Sequence, residues 1–192
     1  MSSILLAYRP GPHGAKAIID TLFGDHNPAG KLAFTYPRYS NDLQTYDHKY
    51  SAEVQELVPG IISDGGFNPQ WSFGFGLSYT NFKFGKLKLS KKKLKKGDGL
   101  KVTTTVKNIG KKSGSIGVDC FVRDCYASVT PPVKRLKRYL SVDLKPGEQK
   151  KIVFELEELD LSFIDQSGKR VVEPGDFEVM VGGEIGKFEL IF

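Results

Sequence analysis

The chain has little of what catalysis or metal binding usually leaves in a sequence. Its 192 residues contain no Gly-rich phosphate loop, no Gly-x-Ser-x-Gly elbow and no His-Glu-x-x-His pair. A nucleotide cradle, a serine-esterase elbow and a zincin site are therefore not readings of this sequence. There are three histidines, His13, His26 and His48. All fall in expected loops and read as surface or hydrogen-bonding groups. Cysteine is scarce too, with only Cys120 and Cys125. Five positions apart in one expected strand, they point to opposite faces and cannot easily bridge each other. With no His pair nearby they do not form a zinc site either. Neither cofactor nor metal is expected. No apolar run reaches about 18 residues, so no membrane span is expected. Residues 1–10 have no basic leader, and their apolar core is too short for a signal peptide.

Charge is present but unevenly placed. Residues 1–80 hold 5 Lys/Arg against 7 Asp/Glu, a net of −2, whereas residues 81–192 hold 23 against 15, a net of +8. A basic half can meet an anionic partner. The simpler reading is a solvated β surface, whose lysines also discourage edge-to-edge pairing. Lys91 to Lys96 includes five lysines and ends in Gly97-Asp98-Gly99. It reads as a solvated connection between strands, and no nucleic-acid partner is expected. Glu157 and Glu158 read as surface charge.

What is there divides at Pro69-Gln70-Trp71-Ser72-Phe73-Gly74-Phe75-Gly76-Leu77-Ser78-Tyr79-Thr80, which holds the only Trp. Glycines alternate with aromatics, so the backbone can bend while rings pack beside it. Before this seam the pattern is α/β. Residues 4–8 form a continuous apolar run, as in a strand buried on both faces. Residues 15–23 read as a helix capped by Gly24. Residues 31–36 read as a second strand, stopped by Pro37. One βαβ-like unit is too small for a domain. Either the chain starts inside a larger domain or a partner covers it, and the isolated chain is expected to self-associate or to have a mobile N-terminal third. Residues 38–69 form a long irregular loop that includes Tyr39, Tyr46, His48, Tyr50, Pro59 and Asp64-Gly65-Gly66. A short helix over residues 51–57 with Ser51 as cap fits there.

After the seam the period becomes two. Phe82, Phe84, Leu87 and Leu89 mark one strand, with an irregularity at Gly85. Val102, Thr104 and Val106 share a face, as do Ile116, Val118, Cys120 and Val122. Residues 133–144 give another strand, then Lys145-Pro146-Gly147-Glu148 suits a type II turn. Ile152, Phe154 and Leu156 alternate. Residues 159–163 form a short apolar patch before a hairpin turn at Asp165-Gln166-Ser167-Gly168. Phe177, Val179 and Val181 alternate, and Phe188, Leu190 and Phe192 close the chain. About seven main strands with regular turns indicate an immunoglobulin-like β-sandwich. No Cys…Trp…Cys spacing accompanies it, so a fibronectin type III-like topology fits better.

The candidate functional residues are aromatic. Trp71, Tyr46, His48 and Phe73 are the candidates for lying near a substrate. Tyr39, Tyr50 and Phe75 belong to the same set of rings that can stack on the C–H face of a sugar. The competing reading is that Trp71, Phe73 and Phe75 glue the two parts of the chain together.

Ordered motifs carry a family resemblance. They are Pro10-Gly11-Pro12-His13-Gly14-Ala15, Leu22-Phe23-Gly24-Asp25-His26-Asn27-Pro28-Ala29-Gly30-Lys31-Leu32, Thr35-Tyr36-Pro37-Arg38, Tyr46-Asp47-His48-Lys49 and Phe73-Gly74-Phe75-Gly76-Leu77-Ser78-Tyr79-Thr80. In the β half, Val122-Arg123-Asp124, Pro132-Val133-Lys134-Arg135-Leu136-Lys137 and Leu144-Lys145-Pro146-Gly147-Glu148 fit as well. Together they resemble the C-terminal portion of glycoside hydrolase family 3, the β-glucosidase and β-xylosidase type. His13 stands where that family often has Glu, and Ala15 where it often has Gly.

The resemblance implies a mainly β chain: a fibronectin type III-like sandwich preceded by a βαβ remnant of an α/β sandwich domain. Residues 1–37 would be the remnant, 38–79 the connecting loop and seam, and 80–192 the β-sandwich. It also implies that the nucleophilic Asp and the acid/base Glu of a retaining glycosidase belong to upstream domains, so no catalytic residue is carried by this chain. The partners implied are those upstream catalytic domains and, through them, a β-glucoside or β-xyloside. Members of the family are often secreted or periplasmic. The alternative is a stand-alone carbohydrate-binding or structural β-sandwich module.

Overall fold

In the computed structural model, residues 3–42, 44–49, 56–58, 61–62 and 67–192 are described. Alternation of apolar and polar side chains builds much of residues 80–192 into strands, because one face of each strand then turns inward together. In β6 (Leu100–Asn108) every second residue is buried, from Leu100 and Val102 through Thr104 to Val106 and Asn108. Antiparallel to it runs β9 (Gln149–Leu156), which buries Ile152, Phe154 and Leu156. On the other edge of β6 lie β3 (Phe82–Phe84) and β4 (Lys88–Leu89). They are two halves of one strand broken by a bulge. Phe84 faces Val106 and Lys88 faces Thr103, four steps against three. Gly85 sits in the bulge as expected, where a Cβ would come within 2.3 Å of the Thr105 hydroxyl.

The second sheet runs β5 (Lys93–Lys95), β13 (Glu184–Ile191), β12 (Gly175–Val181), β7 (Gly114–Asp124), β8 (Arg135–Leu144). Its inward residues include Val118, Cys120, Val122, Phe177, Val179 and Val181, which meet the first sheet in one core. Cys120 is wholly buried, and burial pushes its thiol up to about 12. A short hairpin of β10 (Phe163–Ile164) and β11 (Arg170–Val171) follows a 3-10 turn over Glu158–Leu161. Gly147 takes φ 78° and Glu148 N–H donates to Lys145 C=O, the turn expected there.

Three expectations are corrected. The lysine run is a strand, not a connection. β5 pairs parallel with β13 and buries Leu94, while its lysines stay outside. One apolar residue between lysines is enough to seat an edge strand. Phe192 is exposed, with the Lys96 ammonium 4.9 Å over its ring, so the inward face ends at Leu190. Third, the two strands expected before the seam are not in a ladder with each other. Residues 4–6 are exposed and carry no strand. A parallel strand needs neighbours at its edges and cover on both faces, and the described residues place neither beside it.

Residues 32–36 found a different neighbour. Leu32 N–H donates to Phe75 C=O, Gly74 N–H to Leu32 C=O, and Tyr36 N–H to Trp71 C=O. The seam thus lies antiparallel to the segment that reads as the second strand. In the chain, helix α1 (Gly14–Phe23) stands between residues 4–8 and 31–36, closed by Gly24 in the left-handed conformation at φ 85°. Its Ile19, Leu22 and Phe23 are exposed. The chain is therefore a fibronectin type III-like sandwich after an α/β remnant. Of the helix expected over 51–57, residues 51–55 lie outside the described residues. Glu56 and Leu57 belong to β1 (Glu56–Val58), which pairs with β2 (Ile61–Ile62). Tyr50, Pro59 and residues 64–66 also lie outside them.

At the end of β6, Asn108 is fully buried and uses its whole amide. Nδ2 donates to the carbonyls of Lys112 and Leu144, and Oδ1 accepts from the Thr80 hydroxyl and Gly110 N–H. Removing a buried amide strands each partner. Asn108→Ala is expected to lower stability by about 2–4 kcal/mol. Urea unfolding of the variant measures this, and a loss below about 1 kcal/mol contradicts the role assigned to the amide.

Candidate functional site

The aromatic candidates are placed by the way the seam folds over the sandwich. In β7 the residues Cys120 and Val122 point inward, so Phe121 between them points out. Onto that outer ring pack Tyr46 and Phe73. Their own rings stack with centroids 4.5 Å apart, and they lie 6.1 and 6.3 Å from Phe121. Leu136 N–H of β8 donates to the Tyr46 hydroxyl at 3.3 Å. The Lys134 ammonium sits 4.8 Å from the Phe121 centroid. Gly74 lies beside Asp119, where a Cβ would be in ordinary contact with Oδ2 at 3.5 Å, and its φ of 81° is what calls for glycine. Burial raises the Asp119 pKa, and the charge of Lys134 opposes that rise.

Trp71 belongs to a second group of rings. It meets Tyr36 edge-on at 5.0 Å and Phe75 at 6.2 Å, and Tyr36 in turn lies 5.9 Å from Phe34. Phe34, Tyr36 and Phe75 are exposed and Trp71 is half-buried. This group therefore presents ring surface outward. Arg38 braces it from one side, donating to the carbonyls of Asn68 and Pro69.

His48 stands apart from both groups. Its ring stacks on Phe67 at 3.8 Å, and its Nδ1–H donates to Thr45 C=O at 3.0 Å. Its carbonyl accepts from Val133 N–H, and the next residue, Lys49, bridges to Pro132 and donates to Thr130 C=O. The connecting loop is thus tied to the segment between β7 and β8. Of the four candidates, Tyr46 and Phe73 are brought together, and Trp71 and His48 each sit in other company. Tyr39 is exposed.

Two polar features escaped the sequence reading. Asn27 lies in the turn after α1, yet its side chain joins three segments. Oδ1 accepts from Tyr79 N–H and the Ser78 hydroxyl, and Nδ2 donates to Ser113 C=O beyond β6. Tyr79 adds its hydroxyl to Thr21 C=O at 2.6 Å, with the Lys112 ammonium 5.4 Å over its ring. The only sequence signal was an Asn before Pro28 in the quoted motif, which reads as a turn on its own. The second feature is Asp124. Its carboxylate accepts from Tyr126 N–H, and Glu173 accepts from Ser128 N–H, so two acids hold one loop. Burial, aided by the charge of Glu173 and opposed by the Tyr126 bond, pushes Asp124 up to about 6.

With this geometry in hand the class is clear: a fibronectin type III-like sandwich with an α/β remnant locked to it by a Gly-aromatic seam. Residues 1–79 match the glycosyl hydrolase family 3 C-terminal domain and residues 118–185 the fibronectin type III-like domain. The chain matches the C-terminal region of glycoside hydrolase family 3 proteins. It is 34% identical to a periplasmic β-glucosidase of Salmonella typhimurium, over 98% of this chain and 26% of that protein. To a β-xylosidase of Formosa agariphila it is 38% identical, over 94% and 25%. The solved β-glucosidase of Erythrobacter marinus superposes with TM-score 0.86 at 33% identity, over 96% of this chain and 24% of that one. The Listeria innocua β-glucosidase in complex with glucose gives 0.85 at 31%, over 94% and 27%. The chain spans about a quarter of the length of these relatives.

Two measurements test the contacts described. A double-mutant cycle of Tyr46→Ala and Phe73→Ala is expected to show a coupling of about 0.5–1.5 kcal/mol for the stacked pair; strict additivity contradicts the clamp. Asp124 keeps its proton to about 6 in the fold, whereas an unfolded Asp loses it near pH ~4. Between those values the native state binds more protons, so this group makes stability fall as pH rises. The stability profile of Asp124→Asn is expected to lose that decline across pH 4–6, read by thermal melts in matched buffers. A profile unchanged by the substitution refutes the assignment.

Proposed function

We propose that this chain is the non-catalytic C-terminal part of a family 3 β-glycosidase. In the whole enzyme, terminal β-linked glucosyl or xylosyl residues are hydrolysed by upstream domains that supply both carboxylates. A retaining mechanism needs two of them about 5 Å apart. The observation that carries the reading is the seam. It ties the α/β remnant and the connecting loop to one outer face of the sandwich through Phe73, Tyr46 and Phe121. That is what a brace for an active-site domain requires.

Within this reading, residues 1–37 complete the α/β sandwich, 38–79 connect, and 80–192 brace. Ile4, Leu5 and Leu6, exposed here, are covered by the preceding part of that domain, and the isolated chain self-associates through them. Trp71, Tyr46, His48 and Phe73 stand near the substrate. Trp71 offers its ring to the sugar, and the other three set the position of the loop.

A second reading has one observation in its favour. The outward rings of Phe34, Tyr36 and Phe75 beside Trp71 resemble a stacking platform, which a stand-alone carbohydrate-binding module would use. One experiment separates the two. The chain alone is assayed on an aryl β-glucoside, then again with the upstream domains added, and its binding to soluble glucan is measured in parallel. The brace reading expects no turnover alone and activity on addition. Turnover by the purified chain refutes it, and tight glucan binding by the chain alone, lost in Trp71→Ala, favours the module.

A further inference from the structure

The two outer faces of the sandwich differ in kind. The five-stranded sheet carries the seam and the connecting loop on Phe121. The four-stranded sheet turns its outer face the other way, and the outward positions of its strands are strongly basic. They are Lys83 of β3, Lys88 of β4, Lys101, Thr103, Thr105 and Lys107 of β6, and Gln149, Lys151, Val153 and Glu155 of β9. Five lysines thus share the face with one glutamate. Glu155 pairs with Lys101 at 3.0 Å. Among the described residues, no acidic side chain pairs with Lys83, Lys88, Lys107 or Lys151.

The register makes this arrangement costly for the chain by itself. Lys83 lies directly opposite Lys107, and like charges facing each other across a ladder destabilise it. Thr105 faces Lys151 and Thr103 faces Val153, so the middle of the face is floored by short side chains. The result is a flat strip with cations along its borders. The lysine run that stands out in the sequence is differently disposed. Lys91 is paired with Asp98 and Lys93 with Glu189, and Lys96 lies over Phe192.

We propose that the outer face of β3, β4, β6 and β9 is a docking surface for a carboxylated polysaccharide, a polymer that is anionic along its length. Charge complementarity supplies the attraction. That the occupant is acidic follows from the charge of the face, and that it is a sugar polymer rests on the proposed function; the face also holds no ring. Neutral sugars and single-stranded nucleic acids are held chiefly by stacking on aromatic side chains, and none stands among these ten outward positions. A flat floor with spaced ammonium groups suits an extended chain of carboxylates. Such a surface would hold a glycosidase against an acidic matrix while the seam side remains free for the other domains.

The test uses the full 192-residue chain and calorimetric titration at several salt concentrations. The probes are an oligogalacturonate, a neutral glucan oligomer and duplex DNA of matched length. Oligogalacturonate is expected to bind, with an affinity that falls steadily as salt rises. Replacing Lys83, Lys88, Lys107 and Lys151 with Ser is expected to weaken binding at least about tenfold and to flatten the salt dependence. Replacing Lys91 and Lys93 with Ser is expected to change it little. The Lys→Arg set at the same four positions keeps the charge and is expected to keep binding, which guards against a serine variant that fails to fold. Undiminished binding by a folded serine variant overturns the proposal. So does DNA binding as tight as oligogalacturonate binding, or a preference for the neutral glucan.

Discussion

The structure depends on one amide. Asn108 ends β6 inside the protein, where an unpaired polar group costs about as much as a large core truncation. Its four hydrogen-bonding positions are filled by Thr80, Gly110, Lys112 and Leu144. Those partners are the last residue of the seam, two residues of the β6–β7 connection, and the end of β8 in the opposite sheet. One buried side chain therefore decides where the seam enters the sandwich and how the two sheets close at that end. Its backbone continues the work, with N–H donating to Glu148 C=O and C=O accepting from Gly147 N–H. An apolar residue of the same size would satisfy none of these partners.

From that fixed point the seam runs back over the surface. Asn27 repeats the device in a less buried setting, gathering Ser78, Tyr79 and Ser113 around one amide. Two amides thus bind the helix end, the seam and the sandwich into a rigid corner. Beyond the corner the contacts change from polar to aromatic. Gly74 brings the backbone against Asp119 while Phe73 drops onto Phe121. Glycine answers two different needs on this path: Gly74 takes φ 81°, which L side chains rarely adopt, and a Cβ at Gly76 would come within 2.6 Å of the Gly30 carbonyl oxygen. The polar corner fixes direction, and the rings supply buried area along it.

Much of the sandwich was legible because strand burial is a local pattern. The inward sets at Val102, Thr104 and Val106, at Ile152, Phe154 and Leu156, and at Phe177, Val179 and Val181 need no knowledge of their neighbours to be read. Leu94 was not legible, because a single apolar residue among lysines makes no period. Neither was the fate of residues 4–8 and 31–36. An apolar run states that a segment can be buried, and says nothing about what will bury it. Residues 32–36 pair with the seam, and residues 4–6 pair with nothing described. The candidate rings were visible as types. Their grouping was not, because Tyr46, Phe73 and Phe121 meet only once the loop is laid over β7. The amides of Asn27 and Asn108 were hidden for a related reason: beside Pro28 and Gly110, each reads as turn chemistry.

The same logic governs how charge is distributed. Lysines adjacent in the chain alternate between the two sides of a strand, so a run such as Lys91 to Lys96 spreads over different surroundings and meets Asp98, Glu189 and Phe192. Lysines far apart in the chain converge when their strands pair in register, as Lys83 does with Lys107. A sheet face collects every second residue of several strands, and its field is the sum over that set. Five lysines against one glutamate, half of the net charge of +8 in the second half of the chain, therefore gather on one surface, assembled from four strands, that no stretch of sequence displays. That surface lies opposite the one occupied by the seam. One face of the sandwich is thus committed to its own chain, while on the other Glu155 alone offsets five lysines.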